Sequence, residues 1–225
     1  MTSNLEVYLR TRKVYRKKTR QDFFKNKKGS EELLSSLGML LSDLIYFGSK
    51  KHIYHINNGV YTSDLLVSYV RTHFTIVDLM LIGELGESSV LFRKQLELIA
   101  RIKEIEITDD IESLIRKNPK ITHLNEKIKP LYGIYSEIAH SASPKILELL
   151  GRHDGDGGEY TNVFPEFQEN SYVLFQHITI LTYEFYLCAI SFYKLAIPEF
   201  ESKEFHPQIM KVIEGMRKVF PTDAT

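Results

Sequence analysis

Tyr132, Ser136 and His140 stand four residues apart within ITHLNEKIKPLYGIYSEIAHSASPKILELL, residues 121–150. Steps of four on an α-helix turn only about 40° around its axis, so the three side chains form one row. A neutral histidine near pH 7 can act as acid or base, so His140 can take or give a proton, and Glu137, Ser141 and the row behind it can orient the ring. The row alone is not a hydrolase site, because the strand-to-helix elbow that exposes a nucleophilic serine is missing. The same residues can tie helices together through hydrogen bonds, or cap a helix end where histidine meets terminal carbonyls. Both uses stay open.

Arg93, Glu97 and Arg101 in ESSVLFRKQLELIARIKEIE fall at successive i,i+4 positions. Turned to solvent, such a ladder contributes a few tenths of a kcal/mol per pair. Turned inward, Arg93 and Glu97 can meet the 132–140 row across facing helices and hold an anionic ligand, an RNA phosphate or a nucleotide. The candidate catalytic set is therefore His140 with Arg93 and Glu97, and Tyr132 and Ser136 line the ligand.

Formal charge is balanced over the 225 residues but unevenly placed. Residues 10–28 hold ten Lys or Arg against one acid, Asp22, which makes that stretch +9 and the remainder −9. Basic residues interleaved with tyrosine suit phosphate contact and base stacking, which adds Arg12, Lys13, Arg16, Lys17 and Lys18 to the ligand-binding candidates. A solvated helix held by its few apolar residues accounts for the same pattern, whereas the apolar face is thin for membrane insertion.

Metal and cofactor chemistry find little support. His52 and His55 are three apart but lack a third ligand, and the repeated Glu-x-x-His pairs of a carboxylate bundle are missing, Glu137–His140 in EIAH being the one instance. GRHDGDGG at 151–158 alternates aspartates like a calcium loop, yet the residue twelve positions along from Asp154, counting it as the first, is Pro165 where a glutamate is required. The Gly-Lys-Ser/Thr element of a phosphate loop is absent. The single cysteine, Cys188, sits in an apolar run and allows no internal disulfide. Together with an N-terminus that lacks a secretory apolar run, this points to a reducing, cytoplasmic setting. No metal and no cofactor is expected.

Hydrophobic spacing sets the architecture. Helical periodicity is expected over 5–25, from Ser30 to about Ile56, from Thr62 or Ser63 to Ile82, over 87–106, from about Thr122 to Ala139, over 167–197, and from His206 onward. A short helix is expected from Thr108 to Arg116, stopped by Asn118-Pro119, and Ser143-Pro144 can open another. Strand alternation is not sustained anywhere, so the fold class is all-α, a mostly antiparallel helical bundle with four long helices and short satellites. Residues 1–28 form a basic arm or helix, and 29–225 one bundle domain with a loop near 151–165. The 167–197 segment is long enough to span a membrane, but Glu184, Gln176 and His177 favour the central helix of a bundle.

ARIKEI followed by YGIYSEIAHSASP resembles the helical proteins of the HEPN class and related abortive-infection-like prokaryotic families. That resemblance covers roughly residues 65–197 in helix order. It implies an all-α fold and RNA binding or cleavage in toxin and defence systems. His140 in EIAHS matches the motif histidine, and Tyr135-Ser136 stands where the motif arginine is expected. Arg116 and His123 also satisfy a loose arginine-to-histidine spacing, but Asn118-Pro119 divides them. Two readings run beside an RNA- or nucleotide-binding bundle. One is a metal-independent ribonuclease that uses His140; the other is a non-enzymatic homodimer covered partly by Tyr183, Phe185, Tyr186, Phe192 and Tyr193.

Overall fold

The computed structural model describes residues 3–51, 53, 56, 58–108, 110–140, 149, 152–155 and 158–221. Seven helices are described: α1 (Asn4–Asn26), α2 (Ser30–Ser49), α3 (Gly59–Leu81), α4 (Leu85–Glu106), α5 (Lys129–Ala139), α6 (Asn170–Ala196) and α7 (His206–Val219). Short 3-10 turns at Ile121–His123 and Ser202–Phe205 lead into α5 and α7. The chain is an all-α helical bundle, as its periodicity requires. Helix α6 is central and touches α2, α3, α4 and α7; α3 lies along α4, α2 along α7, and α5 on α4.

Each helix start has a local cause. Ser3 and Glu6 form a reciprocal cap on α1: the Ser3 Oγ accepts from the Glu6 N–H at 3.2 Å, and the Ser3 N–H donates to Glu6 Oε2 at 2.9 Å. A cap of this type is worth about 1 kcal/mol. Ser30 is the first residue of α2 rather than its cap; Gly29, at φ +86°, occupies the cap position, and the Ser30 hydroxyl donates to the Lys27 carbonyl at 2.7 Å. Helix α3 begins at Gly59, before the expected Thr62 or Ser63, because Asn58 takes the left-handed conformation (φ 70°) and turns the chain there. Helix α5 begins at Lys129, not Thr122. Pro130 has no N–H and clashes inside a helix, so it is accommodated in the first turn.

Two expected helical stretches are shorter or absent. α2 ends at Ser49 instead of near Ile56, where the following residues are rich in β-branched, aromatic and histidine side chains of poor helix propensity. The expected 108–116 helix is a series of turns. Asp110 accepts from the Ser113 N–H, and Arg116 adopts a left-handed φ of 69°, which no α-helix tolerates in sequence. The expected loop over 151–158 contains a hairpin, β1 (Arg152–Gly155) pairing antiparallel with β2 (Gly158–Thr161). Its strands are four residues each and lack apolar alternation, while the Asp- and Gly-rich sequence suits a two-residue hairpin turn. His52, His55 and Ser143-Pro144 lie outside the described residues.

The core is aromatic. Tyr69 of α3 stacks on Phe185 of α6 with ring centres 4.1 Å apart, and Phe92 of α4 meets Tyr135 of α5 at 4.5 Å. Two buried tyrosine hydroxyls find carbonyls on neighbouring helices: Tyr172 donates to Phe23 O at 2.8 Å, and Tyr193 to Leu44 O at 3.0 Å. The Tyr172 bond and the buried Phe23 and Thr19 dock the second half of α1, so the basic segment shares the core of the bundle. Gly48 is required where Tyr193 crosses, since a Cβ there would clash with the tyrosine hydroxyl and ring. Helix α6 is long and apolar enough to cross a membrane by composition, and 67% of that window is buried inside the protein. Its Glu184 is neutralised by Lys103 Nζ at 3.0 Å and hydrogen-bonded by Asn125 Nδ2 at 3.1 Å.

Candidate functional site

Helices α4 and α5 bring four of the candidate residues together. Arg93 and Glu97 are one turn apart on α4, with Arg93 Nη2 3.1 Å from Glu97 Oε1. Tyr132, in the first turn of α5, bridges them: its hydroxyl accepts from Arg93 Nη2 at 3.2 Å and donates to Glu97 Oε1 at 3.1 Å. The guanidinium also stands 5.4 Å from the Tyr132 ring centre. His140 is the residue that ends α5, and its Nε2 lies 3.4 Å from Arg93 Nη1. Arginine can only donate, so a hydrogen bond here requires the tautomer in which Nδ1 carries the proton and Nε2 accepts.

The cluster is an open edge, not an enclosed cavity. His140 is exposed, and the Arg93 and Glu97 side chains are 24% and 30% exposed. Hydrogen bonding to Tyr132, then the charge of Glu97, raises the Arg93 pKa above its ordinary value against a desolvation that works the other way. The guanidinium is thus a permanent cation with one face given to Glu97 and the other to His140. Among the described residues, Arg93 Nε is buried and makes no hydrogen bond. Ser136 is half-buried on the same helix, and its hydroxyl joins none of these bonds. The side-chain row expected from the sequence therefore contributes its two ends, Tyr132 and His140, while its middle member contributes only its backbone carbonyl, which accepts from the His140 N–H at 3.0 Å.

Arg101 does not continue the ladder outward. It turns into the protein, donates to the Lys117 carbonyl and pairs with Glu104 at 2.9 Å; the other Glu104 oxygen accepts from the Lys120 N–H at 2.8 Å. This buried pair holds the 108–120 connection against the end of α4 and so fixes where the chain re-enters toward α5. Sequence spacing placed Arg101 in register with Arg93 and Glu97, but each four-residue step drifts around the helix. By the second step the side chain faces the interior.

The basic helix divides into two sets. Arg12 and Arg16 both donate to Glu84 Oε1, at 2.8 and 2.7 Å, in the turn between α3 and α4. Desolvation of Glu84 opposes its ionisation, but the bonds from Arg16 and Arg12 outweigh it and hold the carboxyl below its usual range. Lys13, Lys17 and Lys18 are exposed, as are Arg10, Arg20 and Lys25, and among the described residues none of these six takes part in an ion pair. The structural use of Glu84 was not legible beforehand, since nothing local marks a glutamate as the partner of residues about seventy positions earlier.

A cavity of about 260 Å³ lies on the other flank of α5, lined by Ile134, Tyr135, Ile138, Val173 and His177 among others. Tyr135 and His177 share a hydrogen bond of 2.8 Å inside it, and burial lowers the His177 pKa. Among the described residues no group of three His, Cys, Asp or Glu side chains converges as a metal site. No family model, curated protein or solved structure matches the chain.

Proposed function

We propose that this protein binds RNA along the outer face of α1, with the Arg93–His140 edge as a second phosphate contact. The observation that carries this reading is the sorting of the α1 cations. Arg12 and Arg16 lock the helix to Glu84, and this leaves Lys13, Lys17 and Lys18 facing water without acidic partners. A rigid helix presenting unpaired cations gains affinity for a polyanion by releasing its counterions, at no cost in ordering the protein. The HEPN-like resemblance of ARIKEI and YGIYSEIAHSASP supports the same partner and a toxin or defence setting.

Fluorescence anisotropy with a short single-stranded RNA across a salt series tests the proposal. Each lost phosphate contact lowers the slope of log K against log salt by about 0.7, so replacing Lys13, Lys17 and Lys18 with alanine should flatten it by about 2. Binding whose strength and salt slope are unchanged in the triple variant would remove α1 from the interface.

One contact favours a second reading, in which bound RNA is cleaved without metal. His140 Nε2 lies against Arg93 Nη1; once an RNA phosphate draws the guanidinium onto its oxygens, the lone pair of that nitrogen suits removal of the proton from a ribose 2′-hydroxyl. The 2′-oxygen then forms a bond to phosphorus as the bond from phosphorus to the 5′-oxygen breaks, and His140 gives the proton it has taken to that oxygen, which leaves as a hydroxyl. His140→Ala should abolish such cleavage while leaving the far-ultraviolet dichroism near wild type, because the residue is exposed. Cleavage that persists in His140→Ala, measured on labelled RNA, excludes the histidine.

A further inference from the structure

Helix α6 is the most buried helix of the bundle, yet one strip of it faces outward. Val173, Tyr183 and Leu187 are 48%, 37% and 43% exposed, and Ile180 among them is half-buried. At about 100° per residue these four fall within a sector of about 80°. Val173, Ile180 and Leu187 repeat every seven residues, the spacing of a seam between paired helices. Opposite charges end the strip. Glu169, just before the first turn, and Lys194, in the last, lie in the same sector; both are exposed, and among the described residues neither forms an ion pair.

We propose that a second copy of this chain covers the strip, the two α6 helices packing antiparallel about a two-fold axis. The charges select this occupant. A two-fold passing between residues 181 and 182 sets Glu169 of each copy opposite Lys194 of the other. The same register sets Ile180 against Tyr183 and Gln176 against Leu187, so the centre is apolar and both ends are oppositely charged. A parallel pair would place like charges together at both ends, while the antiparallel pair also opposes the helix macrodipoles. Glu184 puts no charge into the seam, because it is turned inward onto Lys103 and Asn125. The seam differs from the aromatic surface expected from the sequence. Phe185, Tyr186, Phe192 and Tyr193 are buried within one copy, and Tyr183 is the member of that group left outside.

Sedimentation of the full chain over a concentration series, without detergent, tests this. The wild type should dimerise. Leu187→Glu should raise the dimer Kd on the order of a hundredfold. Glu169→Lys and Lys194→Glu should each raise it about tenfold, since each reversal places two like-charge contacts in the dimer. The double variant Glu169→Lys/Lys194→Glu should return to the wild-type Kd, a recovery that loss of folding cannot imitate. All these positions are exposed, and thermal melting checks that the fold is retained. The proposal is overturned by a wild type that stays monomeric, by a dimer indifferent to Leu187→Glu, or by a double variant that fails to recover. It is also overturned if monomeric wild type partitions onto phosphatidylcholine vesicles through Leu187, since the strip then belongs to a bilayer.

Discussion

Arg101→Met is expected to destabilise the fold by about 3–5 kcal/mol, the usual result of leaving one member of a buried ion pair without its partner. The Arg101 and Glu104 side chains are 7% and 4% exposed. Glu104→Leu should cost a similar amount for the converse reason. The double variant Arg101→Met/Glu104→Leu should recover most of the loss. Two apolar side chains of similar length fill the space, and the groups left behind, the Lys117 carbonyl and the Lys120 N–H, belong to exposed residues that water can serve. Urea unfolding of the four proteins gives the comparison directly. If the double variant is as unstable as either single one, the pair is needed for the placement of the 108–120 connection and not merely for its own neutrality. In that case the Tyr132–Arg93 contact downstream should weaken with it.

Acidification from pH 6.5 to 4 is expected to remove about 3 kcal/mol of stability through His73 alone. This side chain on α3 is 1% exposed, with the Thr182 hydroxyl 3.4 Å from Nδ1 and the Phe74 ring edge-on at 5.6 Å. Because Thr182 donates its own proton to the Ile178 carbonyl at 2.8 Å, its oxygen can accept from a neutral imidazole. Burial lowers the His73 pKa from 6.5 to about 4. Above pH 6.5 the ring is neutral whether the chain is folded or not, and the full stability is present. Between 6.5 and 4 the unfolded chain takes up a proton that the folded protein refuses, so stability falls as pH falls. His177, lowered by burial in the same direction, adds to the slope, whereas the Glu84 pair is lost only below the usual carboxylate range. Equilibrium unfolding at several pH values in wild type and His73→Gln isolates the effect. The variant should show a visibly flatter dependence, and equal slopes would assign the loss to other groups.

These two interior features bear on the surface site. The Arg101–Glu104 pair fixes the connection that feeds α5, and the core around His73 holds α3 against α6. The groups proposed to meet phosphate, Lys13, Lys17, Lys18, Arg93 and His140, are all exposed or half-buried, so they can be altered with little effect on folding. RNA affinity and stability are therefore expected to vary separately across these variants.

Much of the architecture was legible in the sequence because it depends on local periodicity. Apolar residues at helical spacing marked α1, α4, α6 and α7 to within a few residues, and the charge balance marked α1 as the basic element. Local chemistry also explains where helix boundaries depart from the periodicity. Pro130 had two lawful positions, a kink or a first turn, and Asn58 in a left-handed conformation started α3 earlier than the hydroxyl residues suggested. The pairing of 152–155 with 158–161 left no hydrophobic pattern, since it is carried by backbone groups.

Side-chain direction between distant segments is different. The sequence by itself determined that Arg93, Glu97, Tyr132 and His140 lay on helices that could meet, because their spacing on each helix is a matter of 3.6 residues per turn. Only the tertiary structure decided that Tyr132 joins Arg93 to Glu97, that His140 meets the guanidinium while the Ser136 hydroxyl does not, and that Arg12 and Arg16 belong to Glu84. The physical reason is that an ion pair depends on a few ångströms of separation, and those distances are set by how the apolar faces of different helices pack.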